Sequence, residues 1–406
     1  MQTTNPNQAT QTITQLLEQP VCTDAVRQSH LGLPEKVTVD DFRKVKLIGI
    51  GNVGKVYLVQ LKGTNHYFAM KILVKRQMEE RNKTNRVITE RDILLQTRHP
   101  FIVHLYWSFA TETCFYFIMD YCGGGDFFHV LHTAENKCLP EETAKYYLAE
   151  VLLALEYLHL NGIMYRDLKP ENVLLTREGH IMLSDFDLSK TQPPQLSMTQ
   201  AINSAKEMMK KEPKYITNSF VGTAEYLAPE VIVGYGYSGT VDWWTFGIFM
   251  YELLYGRTPF HSRVRDEVFS QILDGDVVFP KTWYYPVSSH AKDLIKKLLV
   301  TEPERRLGTK KGAEEIMNHK FFKGVKFQLI RNTVPPIIPQ INGAEDTHHF
   351  NDLKDDGEIE RLEMVAKNQK EKKKEKEKKD KDKKKDSKKS DQKQFAEVLL
   401  GEAWAN

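Results

Sequence analysis

Hydrophobic and polar residues alternate in short bursts from Phe42 onward. Val45, Leu47 and Gly49, then Val56 and Leu58, then Phe68-Ala69-Met70 are separated by glycines or polar residues. A period of two in runs of that length predicts three antiparallel strands. Val87, Glu90, Arg91, Leu94 and Leu95 then fall at helical spacing, giving an amphipathic helix that stops before Pro100. Two further strands follow, over Val103-His104-Leu105-Tyr106 and Phe115-Tyr116-Phe117-Ile118-Met119, and they run into Gly123-Gly124-Gly125. A glycine run after a buried strand makes a hinge. Beyond it the segment from Ala144 to His159 is apolar on most faces, which predicts a central buried helix ended by Gly162. The expected class is α+β: a small antiparallel β lobe with one helix over 42–119, a hinge over 120–126 and a mostly helical large lobe over 127–322.

The ends have a different texture. Residues 1–36 are rich in Gln, Thr and Asn and hold no period, so 1–41 is expected to be a disordered extension. At the other end a Lys/Glu/Asp run over 367–394 precedes a short apolar terminus, 395–406. The 406-residue chain is 41% hydrophobic, and the apolar deficit is concentrated in these two ends. The net charge is +3, but Lys367 to Lys393 alone carries an excess of roughly eight positive charges. The remainder is therefore mildly acidic, which excludes a nucleic-acid-binding core and leaves no nucleic-acid partner. Cys22, Cys114, Cys122 and Cys138 form no C-x-x-C pair, a usage that fits a reducing compartment. With no apolar leader and no run near the ~18 residues of a membrane span, a soluble cytoplasmic monomer is expected.

Candidate chemistry is densest in Tyr165-Arg166-Asp167-Leu168-Lys169-Pro170-Glu171-Asn172 and Asp185-Phe186-Asp187. Phosphoryl transfer needs charge neutralisation, alignment and an acceptor for a hydroxyl proton. Asp167 suits the acceptor, Lys169 can neutralise the moving group, and Asn172 and Asp185 offer oxygens to Mg²⁺, which prefers few protein ligands plus phosphates. Singly, each could be a loop cap or a surface charge. Upstream lies Gly49-Ile50-Gly51-Asn52-Val53-Gly54-Lys55-Val56. A dinucleotide fingerprint of this form would open a helix. Here the loop leads into another β-run, so it predicts a hairpin lid over phosphates. Lys71, within the apolar strand Phe68-Ala69-Met70-Lys71-Ile72, needs an anion if it is buried, and Glu90 can supply it. An edge lysine snorkelling to water is the plainer alternative. The backbone from Asp120 to Cys122 can pair with an adenine edge, and Asp126 can reach a ribose hydroxyl or a substrate cation. His159 reads as a satisfied core histidine.

Taken together, residues 42–322 resemble the protein kinase fold, and the Tyr-Arg-Asp and Asp242-Trp243-Trp244 forms resemble the AGC group of Ser/Thr protein kinases. The resemblance implies ATP and Mg²⁺ as cofactors, Asp167 and Lys169 as catalytic residues, and Asn172 and Asp185 as metal ligands. It places residues 49–56, Ala69, Lys71, Glu90, Asp120, Cys122 and Asp126 around the nucleotide. It further implies a phosphosite at Ser219 open to an upstream kinase, with Arg166 and Lys190 as its basic receivers. A buried Glu230–Arg306 pair, a cap on the catalytic loop by Asp242, and a spine of Leu94, Leu105, Tyr165 and Phe186 are also implied.

Asp187 stands where that family usually has Gly. The run Gly179-His180-Ile181-Met182-Leu183-Ser184-Asp185-Phe186-Asp187 resembles the plant phototropin/auxin-signalling kinases and the fungal flippase kinases, which share Asp-Phe-Asp. Such relatives lengthen the activation segment, and here it is about twenty residues longer than usual. The insertion, 191–218, holds Lys206, Lys210, Lys211 and Lys214, and reads either as a solvated loop or as a docking or anionic-membrane contact. Asp126, Glu171 and Glu252 match positions where the group holds arginines upstream of a target hydroxyl, with Thr223 at the peptide site. Protein substrates with basic motifs are therefore expected. Residues 323–366 resemble the group's C-terminal tail, with Phe350 near adenine. The terminal Phe-x-x-Phe motif is absent, although Phe395 and Val398 could dock in its place. The Lys-rich run reads as a solvated spacer, with weak peripheral contact to anionic membrane as its alternative. Because Gly at position 187 would give freedom at φ > 0, the functional alternative is a pseudokinase scaffold in which Asp187 disables metal positioning.

Overall fold

Six strands build the small lobe in a computed structural model that describes residues 20–24, 26, 32–51, 53–191, 224–234 and 238–372. They are Val21–Cys22 (β1), Phe42–Ile50 (β2), Gly54–Leu61 (β3), Tyr67–Val74 (β4), Leu105–Ala110 (β5) and Cys114–Met119 (β6), in the antiparallel order β1-β5-β6-β4-β3-β2. Successive side chains of a strand face opposite ways, and β6 shows the result. Phe115 and Phe117 join the core facing the large lobe, while Tyr116 and Ile118 join a second cluster on the outer face with Phe42, Phe68, Trp107 and Phe109. The predicted helix is Thr84–Gln96 (α2), preceded by Lys75–Glu80 (α1). Its Val87, Ile93 and Leu94 pack on the inner face. The strand expected from Val103 begins two residues later, at Leu105.

Two expectations for the ends are corrected. Within the extension read as disordered, Val21 and Cys22 pair with Ser108 and Trp107. Trp107 Nε1 donates to the Pro34 carbonyl at 3.0 Å, and Val26 and Val37 are buried in the outer cluster. The sheet's outer face is apolar, so the isolated hydrophobic residues of this segment gain by covering it. From the other end, residues 358–372 form a helix that runs across the expected boundary between tail and Lys-rich spacer. Ile359 is buried on the same outer face, with Leu353 and Leu362 packed beside it.

The large lobe is organised around two helices beyond Phe127–Thr133 (α3): Glu141–Leu160 (α4), as predicted, and Thr240–Tyr255 (α5). Leu148, Leu152 and Leu155 of α4 and Trp244, Phe246 and Phe249 of α5 are wholly buried. The Glu230–Arg306 pair is present and bidentate, at 2.7 and 2.9 Å, with Arg306 also donating to the Val300 and Thr240 carbonyls. Leu94, Leu105, Tyr165 and Phe186 all lie in the core that joins the lobes, with Tyr165 and Phe186 edge-on at 5.2 Å. Asn52, Ser219, Thr223, the insertion from 192 to 218, Phe395 and Val398 lie outside the described residues. Among the described residues no helix is long and apolar enough to cross a membrane.

Candidate active site

The loop after Ile163–Met164 (β7) is fixed from beneath by one buried carboxylate. Asp242, on the first turn of α5, accepts the Tyr165 N–H at 2.9 Å and the Arg166 N–H at 2.6 Å. His159 Nε2 lies 2.7 Å from the same carboxylate, so this histidine is satisfied by a core partner. Arg166 takes a left-handed backbone, φ 67°, which turns the chain so that Asp167 projects from the loop. Lys169 Nζ donates to Asp167 Oδ2 at 2.8 Å, and Asn172 Nδ2 donates to the same oxygen at 2.7 Å. Asn172 thus spends its amide nitrogen on Asp167 and keeps its amide oxygen for another ligand. Burial raises the Asp167 carboxyl above its ordinary value, against the Lys169 ammonium, which pulls it back.

Asp185 is carried to the same place by the hairpin of Val173–Leu175 (β8) and Ile181–Leu183 (β9). Ser184 N–H donates to the Asn172 carbonyl at 3.0 Å, which ties the two metal-directed residues together. The Asp185 backbone is also left-handed, φ 54°, and Oδ1 faces Lys71 Nζ at 3.3 Å. Lys71 in turn donates to Glu90 Oε1 at 2.6 Å, with Glu90 buried. Burial works against the Lys71 charge, but Asp185 and Glu90 outweigh it and hold the ammonium well above its ordinary value. Lys71 in turn holds the Asp185 carboxyl low, against burial. A cleft with one carboxylate, one amide oxygen and a lysine fits Mg²⁺ that takes its other ligands from phosphates and water. Asn172 and Asp185 are the residues that would hold it.

The lid supports a phosphate-bearing partner. A Cβ on Gly49 or Gly51 would meet neighbours only at 3.5 Å, an ordinary contact, whereas on Gly54 it would lie 1.9 Å from the Ile72 carbonyl oxygen. Folding therefore requires glycine at 54 but not at 49 or 51. Bare backbone at those two positions leaves room for close approach by a group outside the chain. Ile50, at the lid's edge, is exposed, and Val53 is buried in the inner core. Val56 pairs with Lys71, and Ala69 with Met119, forming the roof of the cleft.

One lid residue directs its side chain elsewhere. Lys55 does not face the cleft; its Nζ, buried, bridges Asp355 at 2.8 Å and Asp356 of the tail. Tyr57, two residues along and so on the same strand face, donates to Asp355 Oδ2 at 2.6 Å. The Asp120 side chain is also engaged away from any ligand, accepting from His104 N–H at 2.8 Å and Tyr106 OH at 2.9 Å. Its carbonyl and the Cys122 N–H carry no hydrogen bond among the described residues and remain open to a planar base. Tyr121 stacks on Phe350 at 5.7 Å, so the tail reaches the hinge as expected.

Of the three acids expected to read a peptide, Glu252 and Glu171 come close enough to interact, and Tyr226 OH donates to Glu252. Burial, together with Glu171 and Glu225, pushes the Glu252 carboxyl up to about 7. Glu225, which nothing in its local sequence pattern sets apart, is the third acid of this group; its carboxylate accepts from the Thr258 hydroxyl and lies 2.7 Å from His261 Nδ1. Asp126 doubles as the N-cap of α3, accepting the His129 N–H at 2.8 Å. At Asp187 the backbone is not left-handed, unlike at Asp185. Its carboxylate instead faces Lys83, the N-cap of α2, and Arg86 in the first turn of that helix.

The Protein kinase domain family matches residues 42–322. The chain is 48% identical over 335 residues to the serine/threonine-protein kinase nrc-2 of Neurospora crassa, covering 80% of this chain and 54% of that protein. It is 51% identical over 316 residues to the serine/threonine-protein kinase ppk22 of Schizosaccharomyces pombe, 75% and 60% of the two chains. Over 312 residues it is 49% identical to flippase kinase 1 of Saccharomyces cerevisiae, 76% and 34%. The chain therefore spans between 34% and 60% of the length of these three relatives.

Proposed function

The chain belongs to the protein kinase family, and from that premise we propose that it transfers the γ-phosphoryl group of ATP to serine and threonine hydroxyls of proteins, preferring substrates with arginine upstream of the target. The observation that carries the proposal is the unbroken run of contacts from Glu90 through Lys71 to Asp185, beside Asp167 held by Lys169 and Asn172. Bound MgATP supplies the phosphoryl group and most of the charge compensation for its transfer. Asp167, its carboxyl raised by burial, accepts the proton of the attacking hydroxyl as the new P–O bond forms and the bond to the departing diphosphate breaks. Lys169, beside it, offsets negative charge on the moving group. Lys71 keeps the α- and β-phosphates in register.

The scaffold alternative rested on a loss of backbone freedom at Asp187. Because that residue needs no left-handed conformation here, it imposes no such loss, and the Asp185 carboxylate points at Lys71. Arginine preference is supported by the acidic group of Glu171, Glu225 and Glu252. The reading extends to activation by an upstream kinase at Ser219, to a kinase domain over 42–322, and to the remainder of the Lys-rich run beyond the helix as a spacer with anionic membrane as a secondary contact. Transfer of radiolabelled phosphate to an Arg-rich peptide tests the activity, with Asp167→Asn as the dead control. Equal signal from both proteins would refute catalysis. Glu171→Arg should lose rate on Arg-containing peptides far more than on peptides without Arg, and equal losses would remove the substrate assignment.

A further inference from the structure

Asp187 completes a ring of charges that no motif residue accounts for. Its Oδ2 lies 3.5 Å from Lys83 Nζ and 4.0 Å from Arg86 Nη1. Lys83 is the N-cap residue just before α2, and Arg86 sits in the helix's first turn. One turn further along the same helix is Glu90, bonded to Lys71. From Lys71 the ring passes to Asp185 Oδ1, and that oxygen accepts the Asp187 N–H at 3.4 Å. The circuit therefore leaves α2 at Glu90 and returns to it at Lys83 and Arg86. An anion beside the first turn also suits the positive end of the helix dipole.

We propose that Asp187 is a positioning residue that latches the N-terminal turn of α2 to the metal-binding loop, and so holds Glu90 on Lys71. A glycine at 187 would keep the N–H link to Asp185 and lose the side-chain link to the helix. The substitution thus adds a second attachment of α2 to the loop, one turn from the first. With side chains of Lys83, Asp187 and Arg86 exposed by 16, 26 and 38%, the pairs are half-screened. Their combined loss should cost about three- to tenfold in kcat/KM for ATP, the range expected for two partly exposed ion pairs.

The inference rests on residues 167–185 being the phosphoryl-transfer centre, and its test separates the two. Asp187→Ala, the pair Lys83→Ala with Arg86→Ala, and all three together would be compared with the wild-type chain. Two measurements apply: kcat/KM for ATP, and amide hydrogen exchange over residues 84–96 without nucleotide. The latch predicts that the first two variants lose about three- to tenfold, that the triple variant loses no more than the worse of them, and that exchange over 84–96 quickens alike in all three. Losses that multiply in the triple variant, or exchange unchanged from wild type, would overturn it. Should Asp187→Ala fail to fold, Asp187→Asn and Arg86→Gln remove the charges while keeping the side-chain shapes. Wild-type protein that transfers no phosphate would defeat the kinase reading, while the exchange arm would still judge the latch.

Discussion

Lys55→Met is the most informative single change, because it removes an ammonium and keeps most of the stem. In the structure Nζ is buried between Asp355 and Asp356, and Asp355 also accepts from Tyr57 OH at 2.6 Å. Breaking a fully buried pair costs about 3–5 kcal/mol, and an exposed one about 0.2–1 kcal/mol. Here the lysine is buried while the carboxylates keep contact with water, side chains 33 and 62% exposed, so they can be solvated once abandoned. The loss should fall between those limits, at about 1–2 kcal/mol, or a few degrees in Tm. Since Lys55 is the second residue of the strand that leaves the glycine lid, the lid should open more often and KM for ATP should rise severalfold, with kcat little changed. Steady-state kinetics and thermal unfolding would be run on Lys55→Met, on Asp355→Asn with Asp356→Asn, and on the combination. If the tail acts through Lys55, the combined variant should be no worse than Lys55→Met. Fully additive losses, or an unaltered KM for ATP, would show that the contact does not hold the lid.

Three further outcomes are expected. With the Glu252 carboxyl pushed up to about 7, the group is largely neutral at pH 6 and ionised at pH 8, and arginine favours the ionised form. KM for an Arg-containing peptide should then fall by up to about tenfold from pH 6 to pH 8, a dependence absent in Glu252→Gln and for peptides without Arg. Gly51→Ala should leave Tm within a degree or so and raise KM for ATP, whereas Gly54→Ala, forced into the Ile72 carbonyl, should lower Tm outright; equal effects on Tm would contradict the contact geometry. Arg306→Met strands the Glu230 charge in the large lobe, and chemical denaturation should register a loss of about 3–5 kcal/mol.

Much of the catalytic centre could be read from the chain because its parts are close in sequence or carry a local period. Strand β2 alternates, β4 and β6 are short apolar runs bounded by glycine or polar breaks, α2 and α4 keep helical spacing, and Asp167, Lys169, Asn172 and Asp185 fall within a short stretch. Lys71 and Glu90 could be paired because a lysine in an apolar strand demands an anion. The partners of the Lys55 side chain were not legible for the opposite reason. Its partners lie in the tail, 300 residues on, in a polar segment whose two aspartates have no pattern of their own. A two-residue strand such as Val21–Cys22 is too short to show a period, and only the uncovered sheet makes sense of it. Asp187 reads in the sequence as a mark of the Asp-Phe-Asp subgroup, with a disabled metal loop as the alternative judged on backbone conformation alone. Its side chain meets helix residues that no local rule connects to it.

The outer face of the small-lobe sheet has a consequence for how the molecule is made. Its strands come early in the chain, yet Val26 and Val37 close it from one flank and Leu353, Ile359 and Leu362 from the other. During synthesis the latter emerge roughly 230 residues after the last strand, when most of the large lobe has already left the ribosome. Until then an apolar surface with aromatic residues stands open to water and to chaperones. The lobe that is translated first is thus the one finished last, and a chain cut at residue 322 would never finish it.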